Sequence, residues 1–154
     1  MPTIARATVS DASQILALQK RAFESEARIY NDWSILPLTQ GLDSLVEEIE
    51  KTTVLKAIDG QSIVGSVRAT LNNGVCRIGG LIVEPERQRQ GLGSALLLAV
   101  EAAYSQANRF QLFTGSRSEG NIRLYRRHGY EITETTQLSE HVTLVFMVKR
   151  ATDA

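Results

Sequence analysis

Gln88-Arg89-Gln90-Gly91-Leu92-Gly93 lies between an apolar run, Ile78-Gly79-Gly80-Leu81-Ile82-Val83, and the segment Ser94-Ala95-Leu96-Leu97-Leu98-Ala99-Val100, which has helical composition and no breaker. Glu84-Pro85 ends the first run, so the stretch reads as strand, loop, helix. Two glycines at a helix start let the backbone come close to a ligand, and the first-turn N–H groups have no partner within the helix. Those donors, with the positive end of the helix dipole, favour a bound anion, typically a phosphate. A pyrophosphate-bearing cofactor is the first expectation. A P-loop would need a lysine after the second glycine, and a dinucleotide fingerprint a third glycine where Leu96 stands.

Working outward, Thr3 to Thr8 reads as a strand, and Ser10 or Asp11 caps a helix from Ala12 to about Ala27 with Ile15, Leu18 and Ala22 on one face. Asn31 to Gly41 reads as an irregular loop. A second helix is expected over Thr39 to Lys51, with Leu42, Leu45, Val46 and Ile49 on its inner stripe. Strands at Thr53–Ile58 and Ser62–Leu71 flank the turn signal Asp59-Gly60, and Asn72-Asn73-Gly74 leads into a central strand, Val75–Val83. The loop then opens a helix to about Gln106. Phe110–Thr114 is a fifth strand, and Ser116 with Glu119 predicts a capping box for the next helix, which Gly129 ends. Tyr130–Thr136 and Val142–Lys149 complete a mixed α/β sheet of about seven strands flanked by about four helices.

The 154 residues suit one domain, residues 1–154, and 17 basic residues balance 17 acidic ones. That balance gives no global attraction to nucleic acid or an anionic membrane, although Arg123, Arg126 and Arg127 form a local basic patch. Charged residues interrupt any apolar leader near the N-terminus, and no apolar run approaches the ~18 residues of a membrane span. Cys76 is the only cysteine, so no internal disulfide forms and a reducing cytoplasm is the expected compartment. With His128 and His141 as the only histidines and no ligand spacing around them, no metal is expected.

A second segment, Ser118-Glu119-Gly120-Asn121-Ile122-Arg123-Leu124-Tyr125-Arg126-Arg127-His128-Gly129-Tyr130, accompanies the glycine loop. Together the two resemble the GNAT superfamily of N-acetyltransferases, whose acyl-CoA loop reads Gln/Arg-x-x-Gly-x-Gly/Ala and whose later motif carries Asn, a Leu-Tyr pair and Gly-Tyr/Phe. The matches fall on Gln88, Gly91 and Gly93, then on Asn121, Leu124-Tyr125 and Gly129-Tyr130, and the resemblance spans roughly residues 53–149. It implies the acyl-CoA N-acyltransferase fold, with acetyl-CoA as co-substrate and an amine-bearing small molecule or peptide as acceptor. It also implies that the pantetheine arm lies along Leu81, Ile82 and Val83. Backbone N–H groups of Arg89, Gln90, Gly91, Leu92, Gly93 and Ser94 would hold the phosphates, with Gln88 at the loop entrance. Asn121 would give a cofactor-side hydrogen bond, and Tyr125 would be general acid. Edge strands in this fold class can pair two chains, so a homodimer is open. A CoA-binding sensor without catalysis is the alternative reading.

A phenol with reference pKa ~10 hands a proton to a thiolate whose conjugate acid lies near ~8.5 with little mismatch. The base is harder to place. Several members of the superfamily use a glutamate on the central strand, but that position holds Arg77 here. Glu26 is the substitute by geometry, since it continues the face of Ile15, Leu18 and Ala22. It is either a substrate contact or lies where the helix has frayed. Tyr30 and Trp33, with Asp32, are expected in the following loop as an aromatic, acidic rim for a cationic amine. Trp33 may equally anchor that loop to the core.

Overall fold

The computed structural model describes residues 2–88 and 90–151; Arg89, one of the expected phosphate donors, falls outside them, as do Met1 and residues 152–154. A seven-stranded sheet runs in the order β1-β2-β3-β4-β5-β7-β6. Its strands are β1 (Thr3–Arg6), β2 (Thr53–Asp59), β3 (Ser62–Asn72), β4 (Val75–Val83), β5 (Arg109–Gly115), β6 (Glu131–Gln137) and β7 (Thr143–Arg150). The described helices are α1 (Ala12–Tyr30), α2 (Leu36–Thr39), α3 (Leu42–Lys51), α4 (Leu92–Ala103) and α5 (Glu119–Arg127). All neighbouring strands are antiparallel except β4 and β5, which are parallel because α4 crosses between them.

Two apolar clusters grip the sheet from opposite faces. Leu96, Leu97 and Val100 of α4 pack on Val67, Ala69, Ile78 and Leu112. Ile15 and Leu18 of α1 and Leu45 and Ile49 of α3 pack on Val54 and Ile63. Neither helix layer covers the far face of β5, β6 and β7. There Phe113 is exposed, and every residue of β6 is exposed on both faces.

Several boundaries differ from the sequence reading, each for a tertiary reason. Helix α1 continues to Tyr30 and stops at Asn31 in the left-handed region, φ 50°. Residues 39–41 do not join α3: Gln40 is buried, its amide bonded to Ser44 and Glu48, and Gly41 is extended ahead of Leu42. Leu42 is exposed and leaves the inner stripe. The Ser116–Glu119 capping box does not form, because α5 starts at Glu119 behind Ser118, and the Ser118 hydroxyl has other partners.

Cys76 is fully buried under α4, and burial first, then the charge of Glu101, pushes its thiol from 9.0 up to about 11. Above pH 9.0 the unfolded chain releases a proton that the folded chain keeps, so stability declines as pH rises toward 11. Tyr125 and Tyr130, both shifted upward, add to the decline at higher pH. The melting temperature of the parent is expected to fall across this window. Cys76→Ala should flatten the first part of that fall, as calorimetry in a pH series would show.

Candidate active site

The site begins with a gap in the sheet. Strands β4 and β5 pair only at Val75–Arg77 with Arg109–Gln111, so the rest of β4 has no ladder partner on that side. On its other side β4 carries a bulge. The register jumps from Arg68–Gly79 to Ser66–Ile82, leaving Gly80 and Leu81 opposite Val67 alone. Gly80 takes φ +60°, and a Cβ there would come within 3.1 Å of Arg68 Nε. The Arg68 guanidinium beneath is gripped by Glu48 (Nη1 to Oε2, 2.9 Å) and by the amide oxygen of Gln19. Its Nε is the one fully buried side-chain polar atom without a partner among the described residues.

The released segment Leu81–Val83 lines a cleft of about 580 Å³. Opposite it stands the start of α4. Gly91 caps the helix at φ 84°, a conformation that favours glycine, and the first intrahelical bond runs from Ala95 N–H to Gly91 O, 3.0 Å. The N–H groups of Leu92, Gly93 and Ser94 therefore lack helical partners while their residues line the cleft. Gln88 also lines it, and Gln90 is exposed beside it. Ser94 Oγ is held by His128 Nε2 at 2.9 Å, tying the start of α4 to the end of α5.

Arg87, Arg123 and Arg127 add positive charge to the same wall. Arg87 is already paired with Asp59 at 2.7 Å, whereas Arg123 and Arg127 are exposed and make no ion pair among the described residues. The sequence reading saw these two only as a patch. Their four-residue spacing, which puts both on one helix face, was the available signal.

Glu26 closes the other end of the cleft. It sits inside α1, one turn before the helix end, so the frayed alternative does not hold. Ser118 Oγ donates to Glu26 Oε2 at 2.7 Å and Asn121 Nδ2 to Oε1 at 3.4 Å. With the Ser118 proton committed to the carboxylate, its oxygen accepts from the Tyr30 hydroxyl at 2.7 Å, and Tyr30 in turn accepts from Arg117 N–H at 3.0 Å. The donors all point toward Glu26.

Tyr30 is thus not the exposed rim residue expected of it. It is buried over Gly115, where a Cβ would overlap its ring, and it supports the site from behind. Trp33 is 53% exposed in the loop after α1, so it does not anchor that loop in the core. Arg77 is exposed on the outer face of β4, away from the cleft lining. Ser118 was missed as a site residue because the capping reading had assigned the helix start elsewhere.

Tyr125 is buried, its ring 6.1 Å from that of Tyr130; Asn121 and Leu124 line the cleft and Tyr125 itself does not. Its hydroxyl makes no hydrogen bond among the described residues, yet it is not sealed off as Arg68 Nε is. Burial, and secondly the charge of Glu26, raise its pKa well above the ordinary phenol value. The close match to a thiolate that the free phenol would offer is therefore not kept. Among the described residues no cluster of three or more His, Cys, Asp and Glu is placed to hold a metal, and no helix is long and apolar enough to cross a membrane.

The fold has counterparts among known proteins. Residues 37–151 match the family model described as an acetyltransferase (GNAT) domain, and the chain belongs to that family. No curated protein matches the chain. Among solved structures it is similar to the PaiA N-acetyltransferase of Thermoplasma acidophilum, solved with coenzyme A, at 16% identity and TM-score 0.82, covering 97% of this chain and 99% of that one. It is also similar to a phosphinothricin acetyltransferase of Sinorhizobium meliloti, solved with acetyl-CoA, at 16% identity and TM-score 0.79, covering 99% and 90%. A ribosomal-protein-alanine N-acetyltransferase of Brucella melitensis aligns at 20% identity and TM-score 0.76, covering 96% and 99%. At such identities the likeness is one of fold.

Proposed function

We propose that this protein transfers an acetyl group from acetyl-CoA to a primary amine by direct attack. The observation that carries the reading is a single cleft that joins an unpaired strand edge, a helix start with free N–H groups, and a buttressed carboxylate. Backbone groups of Leu81 and Val83 take the pantetheine amides as a neighbouring strand would. The amides of Gly91–Ser94, with Arg123 and Arg127, take the phosphates. When bound, acetyl-CoA supplies an activated thioester carbonyl.

Glu26 attracts the acceptor's ammonium group and takes its proton, a step that for a lysine-like amine costs about 4 kcal/mol at neutral pH. The amine nitrogen then bonds to the carbonyl carbon as the carbon–sulfur bond breaks. Tyr125 keeps its proton across the physiological range and presents the O–H to the departing sulfur. With so weak an acid, a hydrogen bond to developing charge carries the benefit, rather than proton transfer running ahead of bond cleavage. A binding module without catalysis would need the cradle but no oriented carboxylate in the cleft, so Glu26 favours transfer.

Glu26→Gln tests the reading. The isosteric amide removes the charge and keeps one acceptor oxygen for Ser118 or Asn121, while its nitrogen faces the other donor. Acceptor KM should rise about tenfold or more, or the pH profile of kcat/KM should shift, with acetyl-CoA affinity intact. Acceptor kinetics and a pH profile equal to the parent's would remove Glu26 from the mechanism.

A further inference from the structure

The bulge in β4 decides which way its free edge faces. Ahead of the bulge, Ile78 packs on the α4 side of the sheet. Past it, Leu81 and Val83 pack on that same side, while Ile82 packs with Ile15 and Leu18 of α1. Strict alternation from Ile78 would reverse all three, so Gly80 is the extra residue that shifts the pattern by one. The direction of each N–H and C=O along the edge shifts with it. Neither Gly79 nor Gly80 has a side chain with which to hold that register.

Arg68 of β3 fills the space beneath. It is the register partner of Gly79, the last pair before the jump. A Cβ at residue 80 would stand 3.1 Å from its Nε, 3.2 Å from Cδ and 3.4 Å from Cγ. The guanidinium is fixed from outside β4. Nη1 donates to Glu48 Oε2 of α3 at 2.9 Å and to Gln40 Oε1 at 3.4 Å, and Nη2 donates to Gln19 Oε1 of α1. Gln19 and Gln40 are buried and bonded to each other at 2.9 Å, and Gln19 also donates to Pro37 O at 2.9 Å. An apolar side chain would fill the same space at less desolvation cost; what the arginine adds is a head pinned in one place. Gln19 stands two helical turns before Glu26 on one face of α1, so the same strut ties the β4 edge to the helix that carries the carboxylate.

We propose that Arg68 is a positioning residue for acetyl-CoA: its pinned side chain stops the bulge from slipping, and so keeps the free backbone groups of Leu81 and Val83 turned to the cleft. This rests on the reading of that edge as the pantetheine site. Neither Arg68 nor Glu48 lines the cleft, so both act through the strand.

Calorimetric titration with CoA and with 3′-phospho-ADP, the nucleotide half of CoA, separates the strand edge from the start of α4. The parent should bind CoA about tenfold or more tightly than 3′-phospho-ADP, since each backbone hydrogen bond is worth roughly severalfold. Arg68→Ala should bring that ratio close to one, with 3′-phospho-ADP affinity within about twofold of the parent's. Arg68→Lys, which keeps a stem beneath Gly80 and a charge toward Glu48, should restore part of the ratio. Should Arg68→Ala fail to fold, Glu48→Gln replaces it. That change is isosteric at a side chain 38% exposed, and it sets an amide nitrogen against a donor of Arg68 or Gln40. CoA binding should then weaken about two- to threefold with 3′-phospho-ADP unaffected. Both ligands weakened alike, or neither, overturns the proposal. If the parent binds CoA no more tightly than 3′-phospho-ADP, the pantetheine reading fails instead. The lock is then read by amide hydrogen exchange, which should quicken at Gly80–Ile82 in Glu48→Gln and stay unchanged at Val75–Arg77. Exchange equal to the parent's at both segments would overturn it.

Discussion

Tyr125→Phe should bind acetyl-CoA like the parent and turn over about 100-fold more slowly, as loss of a positioned proton donor typically does. The substitution removes one oxygen that makes no hydrogen bond among the described residues, so the ring keeps its packing on Tyr130 and stability should hold. The upward shift of the phenol adds a second signature. In the parent, activity should not fall near pH 10 through ionisation of this group, because burial and Glu26 keep it protonated there. Glu26→Gln, by removing the second of those two causes, should bring the phenol's ionisation to lower pH. Steady-state kinetics with acetyl-CoA and any accepted amine, run beside calorimetric binding of CoA, reads both effects. Full turnover in the phenylalanine variant would leave Tyr125 a packing residue.

Gly115→Ala is expected to be the most damaging small substitution near the site. A Cβ at Gly115 would overlap Tyr30 Oη and Cζ and stand 3.0 Å from Cε2. Tyr30 is buried and bonded to Ser118 and to Arg117 N–H, so it cannot swing aside without losing both bonds. Overpacking of this kind costs about 1–3 kcal/mol, which for a chain of this size lowers the melting temperature by a few to about 10 °C. Displacing Tyr30 also frees Ser118 from its second partner and loosens Glu26, so acceptor KM should rise alongside. Adding Gly115→Ala to Tyr30→Ala should cost almost nothing further, because the obstacle is then gone. Additive melting shifts in the double variant would show that the clash is relieved some other way.

The glycine-loop end of the cleft was far more legible in the sequence than the Glu26 end. Gly91 and Gly93 announce a backbone conformation and a close approach, and such demands are local, so a short motif records them. Gly80, at φ +60°, carries the bulge for the same reason. Glu26 was found because helical periodicity carries a side chain's direction along α1. Its partners were not found, since Ser118 lies 92 residues away and reaches Glu26 only through tertiary folding. Ser118 was instead given no role while Ser116 was read as the cap, a local signal outcompeted by two distant partners, the acceptor Glu26 and the donor Tyr30. Tyr30 failed similarly: its loop assignment followed from stopping α1 at Ala27, and only the bare backbone of Gly115 makes room for it. The set of buried Gln19 and Gln40 and partly exposed Glu48 around Arg68 left no trace in hydrophobic periodicity, because such patterns record apolar faces.

The incomplete pairing of β4 and β5 has a consequence for how this protein finishes folding. An unpaired strand edge inside a sheet is a row of backbone donors and acceptors with nothing to complete them but solvent or a ligand. On the proposed function, the pantetheine arm, itself a chain of amides, would act as a short supernumerary strand and complete that ladder last. Amide hydrogens of Leu81 and Val83 should exchange quickly in the free protein and slowly once CoA is bound, while those of Val75–Arg77 change little. In that sense the pantetheine arm would be a detachable piece of the sheet.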